Sequence, residues 1–439
     1  MPVIVADQAK LVLNTFAFAL ENSLVTKDAV TFKEMDGEME DTNNLKVVEQ
    51  ITPRYRVTRT ENGVRNLVAG TDGTVMGSEL FEVTGSFNVN LGMSDFQRIT
   101  TIGSFRQNVA ATGAVQSLAD QIDGFILRAA TLAANNQTGN PVNSLSQHLD
   151  AMQGVTRLKE EGAVGRDMNF IMNHTDEMLL GDQIIKLPSP TGMTTDTYKN
   201  GFNSNLGGVN TLFTNQLPIL TTGTRPTTGA ATVTLANQFA NYATVAVQTT
   251  ANGLYMSQTM SVSTLAVGAT VAVGDIFTLP GVFAYDQRKQ GAVTPARLQQ
   301  FTVIEAATAN AGGIIPALRF FPAMIVPGTG VGDNIAINTA HATVTAAPAA
   351  GALLTFIGAP ATNLNPRIIL QKQAIVVNTA PLVLPFSDTC IRRKLPTLPL
   401  TVRMWQYSDG ATGDHTVRFD IAMNANIRDR RRICRINGA

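Results

Sequence analysis

Residues 221–281 contain only two charged side chains, Arg225 and Asp275, and are dense in Thr, Ala, Val and Gly. Short β-type runs recur there and just beyond, at Thr232–Leu235, Ala243–Thr249, Thr270–Val273, Ile276–Leu279 and Phe301–Glu305, broken by Gly and Asn. Several short strands at that spacing predict a compact β-barrel or sandwich. The chain before residue 220 reads as mixed α and β, and from about Pro366 the mixed character returns, with apolar runs at Ile368–Leu370 and Ala374–Val377. The expected arrangement is an α+β body with an all-β domain inserted in it.

The flanking parts carry their own periodicities. Leu11, Leu13, Phe16 and Leu20 lie at helical spacing and predict an amphipathic helix over 7–20. An acidic patch follows: Glu34, Asp36, Glu38, Glu40 and Asp41. Arg54–Thr60 and Val64–Ala69 flank Glu61-Asn62-Gly63, and Asn-Gly is a strong tight-turn signal. Residues 53–80 therefore read as a long β-arm, and isolated hairpins are only marginally stable, so a partner surface is expected beneath it. Phe81, Val83, Phe87, Val89 and Leu91 alternate with polar residues and predict one strand over 81–91. Val115, Leu118, Ile122, Phe125, Ala129 and Leu132 form one apolar stripe of a long helix, ended by Gly139 and Pro141. Ser144 to Gln147 resembles a capping box opening a helix to about Glu161. A buried strand at Asn169–Met172, a helix at Thr175–Lys186 and an alternating strand at Val417–Met423 complete the reading.

At 439 residues and 46.8 kDa the chain is too long for one ordinary core. Charged residues are only 15%, against ~25% in typical soluble domains. Lys+Arg and Asp+Glu are equal at 33 each. A sparse, neutral charge set repels copies of itself weakly and favours association. It also argues against a dedicated nucleic-acid reader, which would carry a basic excess. The opening MPVIVADQAK lacks a basic leader region and argues against a signal peptide, and no run is long and apolar enough for a membrane span. Cys390 and Cys434 suit neither a zinc site nor a disulfide framework and are expected as free thiols.

No catalytic constellation emerges, and no metal or cofactor is expected. The four histidines, His148, His174, His341 and His415, are not spaced as a metal pair. The acidic patch lacks the glycine-turned spacing of a calcium loop. Gly328-Thr329-Gly330-Val331-Gly332 invites a dinucleotide reading, but the third glycine of that fingerprint falls on Asp333 and no strand–helix unit is expected after it, so it reads as a loop. Phosphate-cradling, nucleophile-elbow and zincin motifs are absent. The one concentrated feature is the tail: Arg428, Arg430, Arg431, Arg432 and Arg435. Such a cluster can neutralise phosphates or fork onto carboxylates of a neighbouring copy; the neutral chain favours the second.

The ordered set of elements resembles the major capsid proteins of tailed bacteriophages, of the Hong Kong ninety-seven fold, and in particular the branch of the Salmonella phage P-twenty-two coat protein with its inserted β domain. The residues that carry the likeness are the helical arm at 7–20, the hairpin loop at 53–80, the strand at 81–91 and the spine helix at 113–135. To these add Gly165 to Asn173, Phe213 to Leu220 leading into the insert, Gly274 to Val282 within it, and the return at Arg367 to Val377. The tail departs from the pattern in its heavier arginine cluster. The resemblance implies an N-terminal arm at 1–45; the hairpin loop and first peripheral strand at 46–92; spine helix, peripheral domain and start of the axial domain at 93–221; the inserted domain at 222–342; and the axial remainder and C-terminal strand at 343–439. It further implies a non-enzymatic coat protein that forms hexamers and pentamers of an icosahedral shell in the virion, assembled in the host cytoplasm. The implied partners are a scaffolding protein, a portal protein, a decoration or cement protein, and packaged DNA held without sequence reading. Arg428, Arg430, Arg431, Arg432 and Arg435, with Glu61, Asn62 and Gly63, are the expected intersubunit contacts. A tail or decoration protein is the alternative; an enzyme would need a convergent polar site.

Overall fold

The computed structural model describes residues 2–35, 46–51, 75–83, 85–93, 113–139, 148–163, 167–186, 208–226, 231–249, 253–332, 334–384, 389–408 and 415–437. The Glu61-Asn62-Gly63 turn, the arms Arg54–Thr60 and Val64–Ala69, the acidic residues 36–41 and the capping box at 144–147 lie outside them.

Two apolar layers build the body. A six-stranded sheet places Ile375–Ala380 and Thr401–Ser408 on either side of the long strand His415–Ile427, with Thr31–Glu34 and Thr389–Lys394 outside these two and Ser86–Met93 added onto His415–Ile427. The N-terminal helix Pro2–Ser23 and the spine helix Ala114–Ala133 pack on it through one continuous core. Phe16 stacks on Phe419 with ring centroids 4.0 Å apart. A five-stranded sheet orders Asn136–Thr138, Ile433–Asn437, Pro366–Gln371, Met168–Met172 and Asn210–Phe213. Pro366–Gln371 and Met168–Met172 are buried along their whole length, their polar members Arg367, Gln371 and Asn169 included.

Helix His148–Glu160 crosses this sheet at close range because Gly154 carries no side chain. A Cβ there would meet Ile436 Cδ1 at 2.6 Å and Ile369 Cδ1 at 3.0 Å. Alanine gains about 1 kcal/mol of helix propensity over glycine, but overpacking a dense core costs about 1–3 kcal/mol, so the clash prevails. Gly154→Ala is expected to destabilise the subunit by about 1 kcal/mol, and Ile436→Val, which removes the offending methyl, to recover part of that loss in a urea-denaturation cycle. Additive effects of the two substitutions would refute the contact.

The insert is a separate core. Its six-stranded antiparallel sheet runs Thr355–Phe356, Ile276–Phe283, Leu298–Val303, Ile315–Phe321, Gln258–Ser263 and Thr232–Val233. Phe277 sits at its centre, with Phe301, Phe320 and Phe356 at ring distances of 5.4, 5.6 and 5.7 Å. The last strand of this sheet lies beyond residue 342, so the inserted core reaches further along the chain than the composition suggests. Leu220–Thr221 and Asn363–Leu364, the two crossings between body and insert, pair antiparallel.

Several expectations are corrected. The strand expected over 81–91 is two strands, Gly77–Glu82 and Ser86–Met93, because the first pairs with Lys46–Ile51 and the second with His415–Ile427. The hairpin therefore begins at Lys46, earlier than the Asn-Gly turn alone implies. The spine helix ends at Ala133, and Asn136–Thr138 continues as a strand. Its buried face is rotated from the expected stripe. Ile126 and Leu127 are buried, whereas Phe125 is 36% exposed and meets Phe87 edge-on at 5.4 Å. A helix wedged between a second helix and a sheet buries a wider face than one three-four stripe. Ala243–Thr249 is not a strand: Tyr242–Val245 is a helical turn, and Tyr242 N donates to Asn338 Oδ1 at 2.9 Å. A helix, Asn334–Ala340, does follow the glycine loop; its Asn338 donates to Thr329 O at 2.9 Å, closing the loop on itself.

Candidate functional site

The arginine tail lies where the body, the hairpin base and the insert meet. Strand His415–Ile427 delivers the chain to Asp429, whose carboxylate accepts from Arg431 N at 3.1 Å and opens a short 3-10 turn at Arg430–Arg432. The next strand, Ile433–Asn437, is an inner strand of the five-stranded sheet. The cluster is thus a tight connection between two buried strands.

Its members differ in surroundings. Arg435 is 1% exposed and reaches inward, donating from Nη2 to Gly274 O at 2.7 Å and to Gln137 Oε1 at 3.0 Å. Burial pushes its pKa down to about 10, so it stays charged at neutral pH. Arg435 is accordingly a tie between body and insert inside one chain, and this corrects its assignment as an intersubunit contact. Gln137 and Gln300 reinforce the tie by exchanging two hydrogen bonds, at 2.8 and 2.9 Å. Arg428 is exposed and pairs with Glu49 of the hairpin at 3.3 Å. Arg431 and Arg432 share Asp429, at 3.4 and 3.1 Å, and Arg432 also donates to Gln371 Oε1 at 2.9 Å. Arg430 lies over the Phe321 ring of the insert, 5.9 Å from its centroid.

Arg428 to Arg432 line a cavity of ≈ 370 Å³, together with Glu79 of the hairpin and Tyr255, Phe321 and His341 of the insert. His341 stacks on Tyr242 at 3.6 Å. Glu79 stands opposite Glu49 across the hairpin ladder. Burial, above all, pushes its carboxyl up to about 8; Asp429 and Glu49 add to the rise and Arg430 opposes it. Sequence reasoning missed Glu79 and His341, because nothing local marks a residue whose surroundings come from three distant segments.

Elsewhere the polar groups are structural. Glu34, the described member of the acidic patch, is engaged by Lys394 and accepts from Thr401 Oγ1 at 3.1 Å; the Lys394 bond holds its carboxyl below the usual range. Among the described residues no group of histidine, cysteine or carboxylate ligands is arranged for a metal ion, and no helix is long and apolar enough to cross a membrane. Cys390 and Cys434 are free thiols, and burial pushes Cys434 up to about 11. Two buried ion pairs hold the frame. Arg367 grips Asp176 with two bonds, at 2.6 and 2.7 Å, and Arg225 meets Asp275 at 3.2 Å.

Among solved structures the chain is similar to the capsid of the cyanophage P-SCSP1u, at 8% identity and a TM-score of 0.44, covering 94% of this chain and 87% of that one. It is also similar to the mature capsid of bacteriophage PhiM1, at 8% identity and 0.41, covering 94% and 86%. The capsid of Ralstonia phage GP4 matches at 7% identity and 0.40, covering 94% and 89%. No curated protein matches the chain by sequence. Residues 1–431, nearly the whole chain, match the family of P22 coat protein, gene protein 5; the chain belongs to that family and is a major capsid protein, a structural protein of the shell.

Proposed function

We propose that this subunit assembles around a scaffolding protein in the host bacterial cytoplasm into hexamers and pentamers of an icosahedral shell that encloses double-stranded DNA. A portal protein and a decoration or cement protein complete the particle. In this reading residues 1–45 form the arm facing the scaffold, 46–92 the hairpin loop, and 222–342, continued through the strand Thr355–Phe356, an inserted domain between the spine-bearing body and the C-terminal remainder. DNA is cargo, in keeping with equal numbers of acidic and basic residues.

The observation that carries the assembly mode is the uncovered apolar surface of the hairpin base. Val48 on the strand Lys46–Ile51 is 61% exposed, and Met76, just before the strand Gly77–Glu82 that pairs with it, is 54% exposed. Two-stranded ribbons are marginal alone, and burying such side chains against a neighbouring copy supplies about 25 cal/mol per Å² of apolar area. Glu61-Asn62-Gly63, at the tip of the same hairpin, is proposed to lie on that neighbour. Arg428 and Arg432, whose side chains are partly accessible, are proposed to reach its carboxylates. Arg430, over the Phe321 ring, is proposed to contribute less to that contact.

The test is electron microscopy of the full chain, sedimented with and without a co-expressed scaffold from the same source. Closed polyhedral shells, or spirals of the same wall thickness, are expected; discrete small oligomers in every condition would overturn the reading in favour of a tail or decoration protein. Arg428→Ala with Arg432→Ala is expected to change subunit stability by no more than about 1 kcal/mol, as partly exposed ion pairs do, while shell yield falls severalfold. Wild-type yield with unchanged salt tolerance would count against an intersubunit role for these two side chains.

A further inference from the structure

We propose that the cavity between the arginine turn, the hairpin base and the insert binds one phosphate or phosphate-ester group, with Arg430 as its principal ligand. Arg428, Arg430, Arg431 and Arg432 all line it. Facing them are one carboxylate, Asp429, already shared by Arg431 and Arg432, and Glu79. Burial keeps Glu79 largely protonated at pH 7, so it presents a hydroxyl donor there rather than a balancing charge.

Arg430 is the decisive group. Its guanidinium makes no hydrogen bond or ion pair among the described residues and lies over Phe321, 5.9 Å from the ring centroid. Burial lowers its pKa, with the Glu79 charge opposing the change. Arginine does not shed its proton in a protein, and a half-buried guanidinium without a paired anion is a ready partner for one that enters the cavity. The turn Asp429–Arg432 holds it against the cavity, between two buried strands that fix the backbone.

The ligand class follows from shape and donor type. Guanidinium forks match tetrahedral and planar oxyanions in paired hydrogen bonds, which a halide cannot use. A volume of ≈ 370 Å³ exceeds what one chloride or one side-chain carboxylate fills, and lies within the range of small-molecule sites. Tyr255, which meets Tyr242 at 3.4 Å between hydroxyl oxygens, adds a polar wall. The site lies within a single chain and does not depend on the shell, so its test uses unassembled subunit and can fail without touching the assembly reading.

Full-length subunit is dialysed to equilibrium against radiolabelled inorganic phosphate, with ionic strength held constant by sodium chloride. Saturable, stoichiometric binding is expected, weakened at least about tenfold by Arg430→Gln, which removes a charge-assisted pair. A short single-stranded oligonucleotide is then added as competitor. Displacement of the label identifies an esterified phosphate as a source the site accepts, and no displacement restricts it to free phosphate; both outcomes keep the site. Absence of saturable binding to the wild type, or unchanged affinity in folded Arg430→Gln, overturns the proposal. Should that variant fail to fold, the wild-type isotherm still decides whether the site exists.

Discussion

Asp275→Ala is expected to destabilise the subunit by about 3–5 kcal/mol, the cost of breaking a fully buried ion pair on one side. Asp275 is the hub of the junction between body and insert. It accepts from Arg225 Nη2 at 3.2 Å, from Gly223 N at 3.2 Å and from Ala272 N at 2.8 Å. Alanine would strand the Gly223 and Ala272 amides, and each orphaned backbone donor costs about 1–3 kcal/mol. Arg225 would keep its bonds to Gly358 O and Ile357 O, both 3.0 Å, and its place over Phe356 at 4.6 Å. Its charge, however, would have no counterion. Because Arg225, Asp275 and Gly358 come from the outgoing segment, the insert and the returning segment, the loss is expected to open the junction before the rest of the subunit. The readouts are the urea midpoint and the first cleavage sites in limited proteolysis. Asp275→Asn, which keeps an acceptor, should fall between. Arg225→Met with Asp275→Leu should lose less than the single alanine variant, since replacing a buried pair by apolar side chains is often close to neutral. A loss below about 1 kcal/mol for Asp275→Ala would show that the pair acts as a surface one.

The sequence marks Arg225 and Asp275 as the only charges of their stretch, but their pairing across the junction shows only in the fold. The inner strands Met168–Met172 and Pro366–Gln371 were legible only in their apolar cores, since burial on both faces favours apolar runs such as Ile368–Leu370. Reading failed where tertiary partners decide. The alternation from Phe81 to Leu91 is real, yet no local signal tells that its two halves pair with different strands. The run Ala243–Thr249 has strand-like composition, but Asn338, far along the chain, captures the Tyr242 amide and sets a helical turn. Arg435 looked like one more member of a surface cluster; the strand register Ile368 to Arg435 carries it into the core. The cavity lay beyond sequence reading altogether, because Glu79, Phe321 and Arg430 meet only once three chain segments are in place.

Glu79→Gln is expected to stabilise the subunit at alkaline pH and to flatten its stability–pH curve. The groups that act on this carboxyl are Arg430, Asp429 and Glu49, and burial outweighs them, raising its pKa from 4.5 to about 8. Between those values the folded chain holds a proton that the unfolded chain has released. The unfolded state therefore binds fewer protons, and stability falls as pH rises through that window. The full contribution is present below pH 4.5 and is spent above pH 8. At 1.36 kcal/mol per unit, the fall by pH 7 is of the order of 3 kcal/mol. Other buried carboxyls, Glu161 among them, tilt the curve in the same sense, so the informative quantity is the difference between wild type and variant rather than either curve alone. Glutamine keeps the shape and a donor while removing the ionisation. The difference should be small near pH 5 and reach about 4 kcal/mol in favour of Glu79→Gln by pH 8, measured by urea denaturation across that range. Parallel curves would mean that Glu79 titrates near its ordinary value, with the hairpin base open to water. They would also remove the neutral donor from the arginine cavity, since an ionised Glu79 would become the counterion that Arg430 lacks.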